Sequence, residues 1–165
     1  SLVQSILDNN EKTLIFTQYK EMGDLLTKIL CEECGSEPSF FHGSLTVPQR
    51  EHLIEDFQNN DDRKVMILSL KAGGTGLNLT GADYVIHYDP WWNPAVEDQA
   101  TDRAYRIGQT KKVFVYRLIT KNTVEEKIQK IKGRKRDLVD SVVSIDRNIT
   151  KSLTMEDLRD IFSVD

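Results

Sequence analysis

The chain alternates short apolar runs with longer amphipathic stretches. The apolar runs predict strands over residues 13–16, 39–43, 64–70, 83–89 and 111–120. The run KVMILSL at 64–70 has no polar alternation, so we expect that strand to be covered on both faces. Apolar residues at helical spacing predict helices over residues 20–33, 47–58, 94–107, 122–144 and 153–162. The chain also opens inside a helical pattern formed by Leu2, Val3, Ile6 and Leu7.

Proline, glycine and capping residues mark the expected helix ends. Pro48 and Pro94 stand in predicted first turns, where proline is tolerated because the amide it lacks has no partner inside the helix. Gly108 follows the predicted end of the helix at 94–107. Thr123 and Glu126 have the spacing of a capping box, which predicts the start of the longest helix.

Alternating strands and helices with short connections predict βαβ units. We therefore expect an α/β fold with a mainly parallel central sheet and helices on both of its faces. The helical pattern breaks at SIDRNITKS, residues 144–152. This break predicts one domain over residues 1–143, including the long helix, and a linker with a short C-terminal helix over residues 144–165.

The net charge of the 165 residues is -4. This charge argues against a nucleic-acid-binding protein that depends on bulk positive charge. It leaves a local basic groove open, because phosphates are contacted by particular side chains and backbone amides. No apolar run approaches the roughly 18 residues that a membrane span needs. The start at Ser1, inside a helical pattern, leads us to expect a piece of a longer protein.

Two cysteines lie in CEEC, Cys31 and Cys34. A single CxxC is compatible with a redox pair or with half of a zinc site. There is no second CxxC, and His42 is the one nearby histidine. We expect two reduced thiols at a helix end and no metal.

The segment DQATDRAYRIGQ, residues 98–109, places polar groups in one helical stripe. Gln99, Arg103 and Arg106 fall at i, i+4 and i+7 of the predicted helix. The forked guanidinium suits phosphate oxygens. The alternative is a solvated helix face with an Asp102–Arg106 pair at i,i+4, which stabilises a helix by only about 0.2–0.5 kcal/mol.

A glycine-rich stretch, SLKAGGTGLNLTGA, follows the predicted strand at 64–70. Its glycines free the backbone to approach a ligand closely, as in a dinucleotide-binding turn. The spacing does not fit that turn, because Leu79 stands where the third glycine belongs. Asp89 also comes too early in the chain to be the acid that binds a ribose.

Four segments together resemble SWI/SNF-type DNA translocases of helicase superfamily two. SLKAGGTGLNL and YDPWWNPAVEDQATDRAYRIGQ resemble the family's fifth and sixth motifs, and TLIFTQY (13–19) resembles its fourth. FHGSLTVPQREHLIEDFQ (41–58) resembles the segment after the fourth motif. The resemblance covers nearly the whole chain in order, and its compact spacing is similar to that of bacterial or archaeal members.

The resemblance implies the second of two RecA-like lobes, a three-layer domain followed by a C-terminal helical extension. ATP with Mg²⁺ would be held mainly by the first lobe, whose phosphate loop and Asp-Glu dipeptide do not occur in this sequence. Arg103 and Arg106 would be arginine fingers, and Gln99 would orient the nucleotide or the attacking water. Gly76 and Asn78 would line the cleft near the ribose or couple it to the DNA side.

The resemblance also implies that loops at the carboxyl ends of strands contact one DNA strand's backbone without reading its sequence. The matching residues are Thr17, Gln18, His42, Gly43, Ser44, Ser69, Lys71, Ala72, Gly73 and Trp92. Alternatively, Trp91 and Trp92 pack over the hydrophobic core and do not contact DNA. Arg50 has two alternatives, a phosphate contact or an ion pair with Glu51 or Asp56. The basic run 127–136 is either a solvated helix face or a DNA contact.

The resemblance implies a motor lobe of an ATP-dependent double-stranded-DNA translocase that remodels protein–DNA complexes. The implied partners are duplex DNA, the first lobe of the same chain and possible DNA-bound proteins. The expected location is the nucleoid in a bacterial cytoplasm, or the nucleus in a eukaryote. The alternatives are a strand-separating DNA or RNA helicase, a non-catalytic binding platform and a nucleotide-dependent oxidoreductase.

Overall fold

A computed structural model describes residues 1–35, 37–69, 77, 79–89, 91, 94–102, 104 and 112–129, with the backbone alone for 94 and 95. The chain divides into two compact units, Ser1–Leu118 and Ile119–Asp165. The sheet lies in the first unit.

Five strands form the sheet of the first unit: β1 (Thr13–Thr17), β2 (Ser39–Phe41), β3 (Val65–Ser69), β4 (Tyr84–His87) and β5 (Phe114–Arg117). Their order is β2-β3-β1-β4-β5, and every described pair is parallel. The helices are α1 (Leu2–Asp8), α2 (Lys20–Cys34), α3 (Val47–Asn59) and α4 (Pro94–Thr101). No helix in the described ranges is long and apolar enough to cross a membrane.

Helices cover the two faces of the sheet, as the sequence predicts. One core cluster joins Leu14, Phe16, Met66 and Leu68 of the central strands to Phe57 of α3 and to Ala100 of α4. The opposite cluster joins Ile15, Ile67 and Ile86 to Val3 and Ile6 of α1 and to Leu26 and Leu30 of α2. Strand β3 is buried at all five positions, which confirms that both of its faces are covered.

Local chemistry explains where α2 ends and where α3 begins. Gly35 terminates α2 with a φ of 67°, a left-handed conformation that favours glycine, and its amide donates to the Cys31 carbonyl. Helix α3 begins with a capping box, in which the Thr46 amide donates to Gln49 Oε1 at 2.9 Å. Pro48 stands in the first turn of α3, as the sequence predicts.

A buried lysine caps the other end of α3. Lys12 is only 9% exposed, and its Nζ donates to the carbonyls of Phe57 at 2.7 Å and Asn60 at 3.0 Å. The positive charge is favourable there because the last carbonyls of a helix carry partial negative charge. The Lys12 backbone amide donates to Asp83 at 2.9 Å, which joins the start of β1 to the start of β4.

Two predicted elements are shorter in the structure. The helix predicted over 94–107 ends at Thr101, and Asp102 and Ala104 lie in a turn. The Ala104 amide donates to the Thr101 carbonyl at 2.9 Å, a three-residue spacing tighter than that of an α-helix. Within the described residues 112–120, the strand predicted over 111–120 spans Phe114–Arg117. The other predicted strands and helices of the first unit match within a few residues.

The second unit is described for residues 119–129. Residues 124–129 are helical, which agrees with the predicted helix as far as the description reaches. Glu126 accepts from the Asn122 amide at 3.0 Å, and the Thr123 hydroxyl donates to the Thr120 carbonyl at 2.7 Å. These bonds fix the turn before the helix. The predicted linker and last helix lie outside the described residues.

Candidate nucleic-acid and nucleotide interface

The carboxyl ends of the five strands form one edge of the sheet, which we call the carboxyl edge. Because all described strand pairs are parallel, the loops that follow the strands meet at this edge. Thr17 is in register with Ser69, and Phe16 is in register with His87. The described DNA-contact candidates therefore lie along one edge, in the loops after β1 and β2 and at the end of β3: Thr17, Gln18, His42, Gly43, Ser44 and Ser69.

Asp89 holds the loop that follows β1. Its Oδ2 accepts hydrogen bonds from the Thr17 hydroxyl and from the Gln18 amide, the latter at 3.0 Å. Thr17 is fully buried and Ser69 is 5% exposed. Both side chains are buried, and the assignment of Thr17 and Ser69 as DNA contacts stays a prediction. Half-buried Gln18 remains accessible.

The same bonds weaken the oxidoreductase alternative. That alternative needs an acid at the end of a strand that is free to bind a ribose. Asp89 instead uses its carboxylate to bind the neighbouring loop of the sheet.

The turn after β2 is an exposed backbone feature held from behind. Gly43 and Ser44 are exposed, and the Leu45 amide donates to the His42 carbonyl at 3.3 Å. Arg50, on α3, donates from Nη2 to the Gly43 carbonyl at 2.7 Å, and its guanidinium lies 5.7 Å from the Phe41 ring centre. Of the alternatives for Arg50, the ion pair with Asp56 is not formed among the described residues, because Arg63 pairs with Asp56 at 3.2 Å and Arg50 holds the turn.

His42 feels the charges of Lys20, Asp24 and Arg50. Its pKa is lowered from the ordinary 6.5 by burial first, and then by the charge of Lys20 and, more weakly, of Arg50, while Asp24 opposes the shift. Its Nδ1 is buried and finds no hydrogen-bond partner among the described residues. The turn therefore combines accessible backbone with the charge of Arg50, whereas the charge of Lys20 is paired with Asp24 at 2.9 Å. Phosphate oxygens are attracted to such a combination.

Helix α4 turns one face to the core and another to solvent. Ala100 and Ala104 are buried at 1% and 0% exposure, which confirms the predicted apolar stripe at these positions. Gln99 is exposed beside them. Arg103 and Arg106 lie outside the described residues. The stripe of all three polar residues assumed a helix to residue 107, whereas α4 ends at Thr101.

A buried carboxylate anchors α4 at the carboxyl edge, and sequence reasoning missed it. Glu97 is 3% exposed. It accepts from the Trp91 amide at 2.6 Å and from Arg117 Nε at 3.1 Å, across twenty residues of sequence. Asp98 lies 3.7 Å from the other end of the same guanidinium. The sequence does show a glutamate near the start of the predicted helix, which could have indicated an anchoring residue. Its partner Arg117 on β5 could not be identified from sequence spacing.

A second contact ties α4 to the end of β4. The Thr101 hydroxyl donates to the Glu97 carbonyl at 3.0 Å, and the same oxygen lies 3.1 Å from His87 Nε2. His87 is fully buried and stacks on Phe16 with ring centres 5.6 Å apart. Helix α4 is thus fixed to β4 and to β5 by polar contacts as well as by its alanines.

Several predicted site residues lie outside the described residues, and their assignments stay predictions. They are Lys71, Ala72, Gly73, Gly76, Asn78, Trp92, Arg103 and Arg106. The backbone of Trp91, the neighbour of Trp92, is bound to Glu97.

The CxxC pair carries free thiols. Cys31 is exposed and Cys34 is partly covered. Burial, and then the charge of Glu33, raises the pKa of the Cys34 thiol, which disfavours the thiolate that a metal or a redox reaction needs. Within the described ranges, no three histidine, cysteine or acidic side chains group together as metal ligands.

Comparison with known families identifies this arrangement. The model of the helicase conserved C-terminal domain matches residues 1–108. The chain belongs to that family. The match spans strands β1 to β4 and helices α1 to α4, so it includes the carboxyl ends of those four strands, while β5 lies beyond it.

Close relatives come from bacteria. The Bacillus subtilis protein YwqA, provisionally named an ATP-dependent helicase/translocase, is 48% identical over 163 residues, 99% of this chain and 18% of its own length. An uncharacterized ATP-dependent helicase of Mycoplasma genitalium is 43% identical, across 98% of this chain and 16% of its own. The chain thus spans under a fifth of the length of these relatives.

A solved structure with bound DNA has the same fold. The Sulfolobus solfataricus SWI2/SNF2 ATPase core in complex with double-stranded DNA matches with a TM-score of 0.76 and 40% identity, over 99% of this chain and 34% of that one. The C-terminal domain of a Sulfolobus solfataricus SWI2/SNF2 ATPase matches with a TM-score of 0.70 and 37% identity, over 97% of this chain and 64% of that one. These matches confirm the predicted SWI/SNF-type, RecA-like lobe and its likeness to bacterial and archaeal members.

Proposed function

We propose that this chain is the second motor lobe of an ATP-dependent double-stranded-DNA translocase that remodels protein–DNA complexes. ATP with Mg²⁺ is held mainly by a first lobe elsewhere in the parent protein. Arg103 and Arg106 act on the transferred phosphate, and Gln99 orients the nucleotide or the attacking water. The loops of the carboxyl edge contact the DNA backbone. The isolated lobe does not hydrolyse ATP, because its sequence has no phosphate loop.

The observation that carries the DNA part is the convergence of the candidate loops on one edge. The exposed Gly43–Ser44 turn and Gln18 lie there, with Arg50 bound to the turn and the Lys20–Asp24 ion pair near His42. Backbone amides and fixed cations suit phosphates and carry no sequence information, which is what a motor moving along any sequence needs. The match to a DNA-bound SWI2/SNF2 core across 99% of this chain supports this assignment.

The nucleotide part rests on α4. Buried Ala100 and the contacts with β4 and β5 fix the helix, while Gln99 faces outward. Phosphoryl transfer needs positive charge placed accurately at the transition state, and one arginine can raise the rate about 10³–10⁵-fold. When a second lobe supplies that arginine, hydrolysis depends on closure of the cleft.

The deciding experiment is ATP hydrolysis by the parent protein with and without duplex DNA, for the wild type and for Arg106→Ala. We expect the variant to bind ATP and to lose about 10³-fold in DNA-stimulated hydrolysis, because the transition state loses its finger. Arg63→Ala is the matched control, since Arg63 pairs with Asp56 at the opposite edge of the sheet. Its hydrolysis rate should equal that of the wild type.

Three outcomes would contradict the proposal. Unchanged hydrolysis in Arg106→Ala would make the stripe a solvated helix face and the lobe a binding platform. Stronger stimulation by single strands or RNA than by duplex DNA would favour the strand-separating helicase. Turnover of ATP by the isolated lobe would overturn the two-lobe scheme.

A further inference from the structure

The Glu97–Arg117 ion pair, which anchors α4, has no part assigned in DNA or nucleotide binding. The Glu97 side chain is 4% exposed and that of Arg117 is 34% exposed, and Nε and Oε2 are 3.1 Å apart. Oε1 of Glu97 accepts the Trp91 amide at 2.6 Å. Both carboxylate oxygens are therefore used, one by a loop and the other by a strand.

These partners connect the two halves of the candidate interface. Trp91 directly precedes Trp92, a DNA-contact candidate, in the connection from β4 to α4. Glu97 is two residues before Gln99 on α4, the helix that leads to Arg103 and Arg106. Arg117 closes β5, so the ion pair fixes the loop and the helix to the sheet at the same point.

Stability alone does not account for such an arrangement. Removing a carboxylate from water is costly, and apolar side chains of similar volume often stabilise a fold as well as a buried ion pair does. An ion pair has a property that apolar packing lacks: it fixes direction, because the forked guanidinium and the carboxylate must align. Direction matters here because small displacements of reacting groups reduce rates strongly.

We propose that Glu97 and Arg117 are positioning residues that couple the DNA-side loop at Trp91 to the nucleotide-side helix α4. A shift of the Trp91 amide on DNA binding is transmitted to Glu97, and Arg117 provides the fixed point against which α4 is positioned. The inference rests on the proposed function, since it assumes that DNA acts on one side of the pair and ATP on the other.

The test uses the parent protein and four variants: Glu97→Gln, Arg117→Met, Arg117→Lys and the double variant Glu97→Gln/Arg117→Met. Glutamine keeps the shape of Glu97 and an oxygen for the Trp91 amide, but it removes the charge. For each protein, ATP hydrolysis is measured against ATP and duplex-DNA concentration, and thermal unfolding is recorded alongside.

We expect the single variants to lose about 10- to 100-fold in the ratio of DNA-stimulated to basal turnover, because α4 is no longer set by the loop. KM for ATP and the DNA concentration at half-maximal stimulation should stay within about threefold of wild type, because binding contacts are retained. The double variant should lose no more than either single variant, as expected for residues that act as a unit. Arg117→Lys should recover part of the ratio, since it keeps the charge but not the fork.

The pair Arg63–Asp56 provides the control. It is an arginine–carboxylate pair with a separation of 3.2 Å at the other edge of the sheet. Arg63→Met should leave the stimulation ratio at the wild-type value. If Glu97→Gln fails to fold, Arg117→Lys carries the test.

Two results would overturn the coupling role and leave the motor assignment standing. One is an equal fall of basal and stimulated turnover with a lower melting temperature, which is the signature of a merely structural pair. The other is a stimulation ratio that matches wild type in folded variants. Absence of any duplex-DNA stimulation in the wild type would instead overturn the proposed function, and this inference with it.

Discussion

The two edges of the sheet each bury a charged side chain, and the two charges have different surroundings. At the amino edge, Lys12 is 9% exposed and donates to backbone carbonyls at the end of α3. At the carboxyl edge, Glu97 is 3% exposed and binds a loop amide and an arginine on a strand. Burial of a charge is thus shared by both edges. What differs is whether its partners are fixed parts of the fold or parts of the candidate interface.

We infer that the charged contacts at the amino edge stabilise the fold, whereas those at the carboxyl edge support the proposed contacts with DNA and nucleotide. Lys12 joins β1 to α3 and, through its backbone, to Asp83 at the start of β4. Every element it touches belongs to the central packing. No predicted site residue is bound by this lysine among the described contacts. The variants below can break or sharpen this division.

Lys12→Met should have the largest effect on stability. It leaves the last carbonyls of α3 without their charged donor, and we expect a loss of about 3 kcal/mol in the free energy of unfolding. Turnover per folded molecule should be unchanged. Urea unfolding measures the first quantity, and hydrolysis at low temperature measures the second.

The control for this variant is Lys64→Met, since Lys64 lies at the same edge and makes an exposed bond to Asn10. A surface change of this kind should alter stability by no more than about 0.5 kcal/mol. Equal stabilities of the two variants would contradict a stabilising role for the amino edge. A lower ratio of DNA-stimulated to basal ATP turnover in Lys12→Met would show that this edge also affects function.

Asp89→Asn should have an intermediate effect, at the carboxyl edge. The substitution removes the charge that accepts from Thr17 and Gln18, so the loop after β1 is held less tightly. We expect a loss of about 1 kcal/mol in stability, together with a higher DNA concentration for half-maximal stimulation. Asp62→Asn, on the exposed turn before β3, is the matched control. If stability falls while the DNA concentration for half-maximal stimulation is unchanged, Asp89 stabilises the fold in the same way as Lys12 and has no role in DNA binding.

The smallest effect should be the pH dependence caused by His42. The pKa of His42 in the folded protein lies below 6.5, so the unfolded chain binds the proton more readily. Stability from this residue is therefore complete above about pH 6.5 and is lost as the pH falls toward the folded pKa. Comparing unfolding free energies of wild type and His42→Gln from pH 8 to pH 5 isolates this contribution, because His52 and His87 are common to both. A steeper loss of stability in His42→Gln on acidification would contradict it.

The sequence predicts the sheet well because its signals are local. KVMILSL is apolar throughout, and a strand buried on both faces needs that composition. The helix predicted over 94–107 is too long. The apolar periodicity of the sequence continues past Thr101, whereas the backbone forms a tighter turn there. Periodicity describes which side of a helix is apolar and gives no information on where its hydrogen bonds change spacing.

The sequence predicts which loops lie at the carboxyl edge, but it does not predict which polar side chains bond to each other there. Parallel strands bring their following loops together, so the grouping of Gln18, Gly43 and Ser69 follows from the fold. The bonds of Asp89 to Thr17 and of Glu97 to Arg117 span 72 and 20 residues. All four are ordinary polar residues with many possible partners. Only the register of β1, β4 and β5 decides which of them meet.

The cysteine pair offers a labelling site for following the proposed motor activity. Helix α2 runs from the carboxyl edge back toward the amino edge, so its last turn, with Cys31 and Cys34, lies away from the candidate DNA loops. Cys31 is exposed, while Cys34 is partly covered and its pKa is raised. A maleimide fluorophore should therefore couple to Cys31 first. Energy transfer from that dye to one on the duplex would follow the lobe as it steps, with the contacting loops left unlabelled.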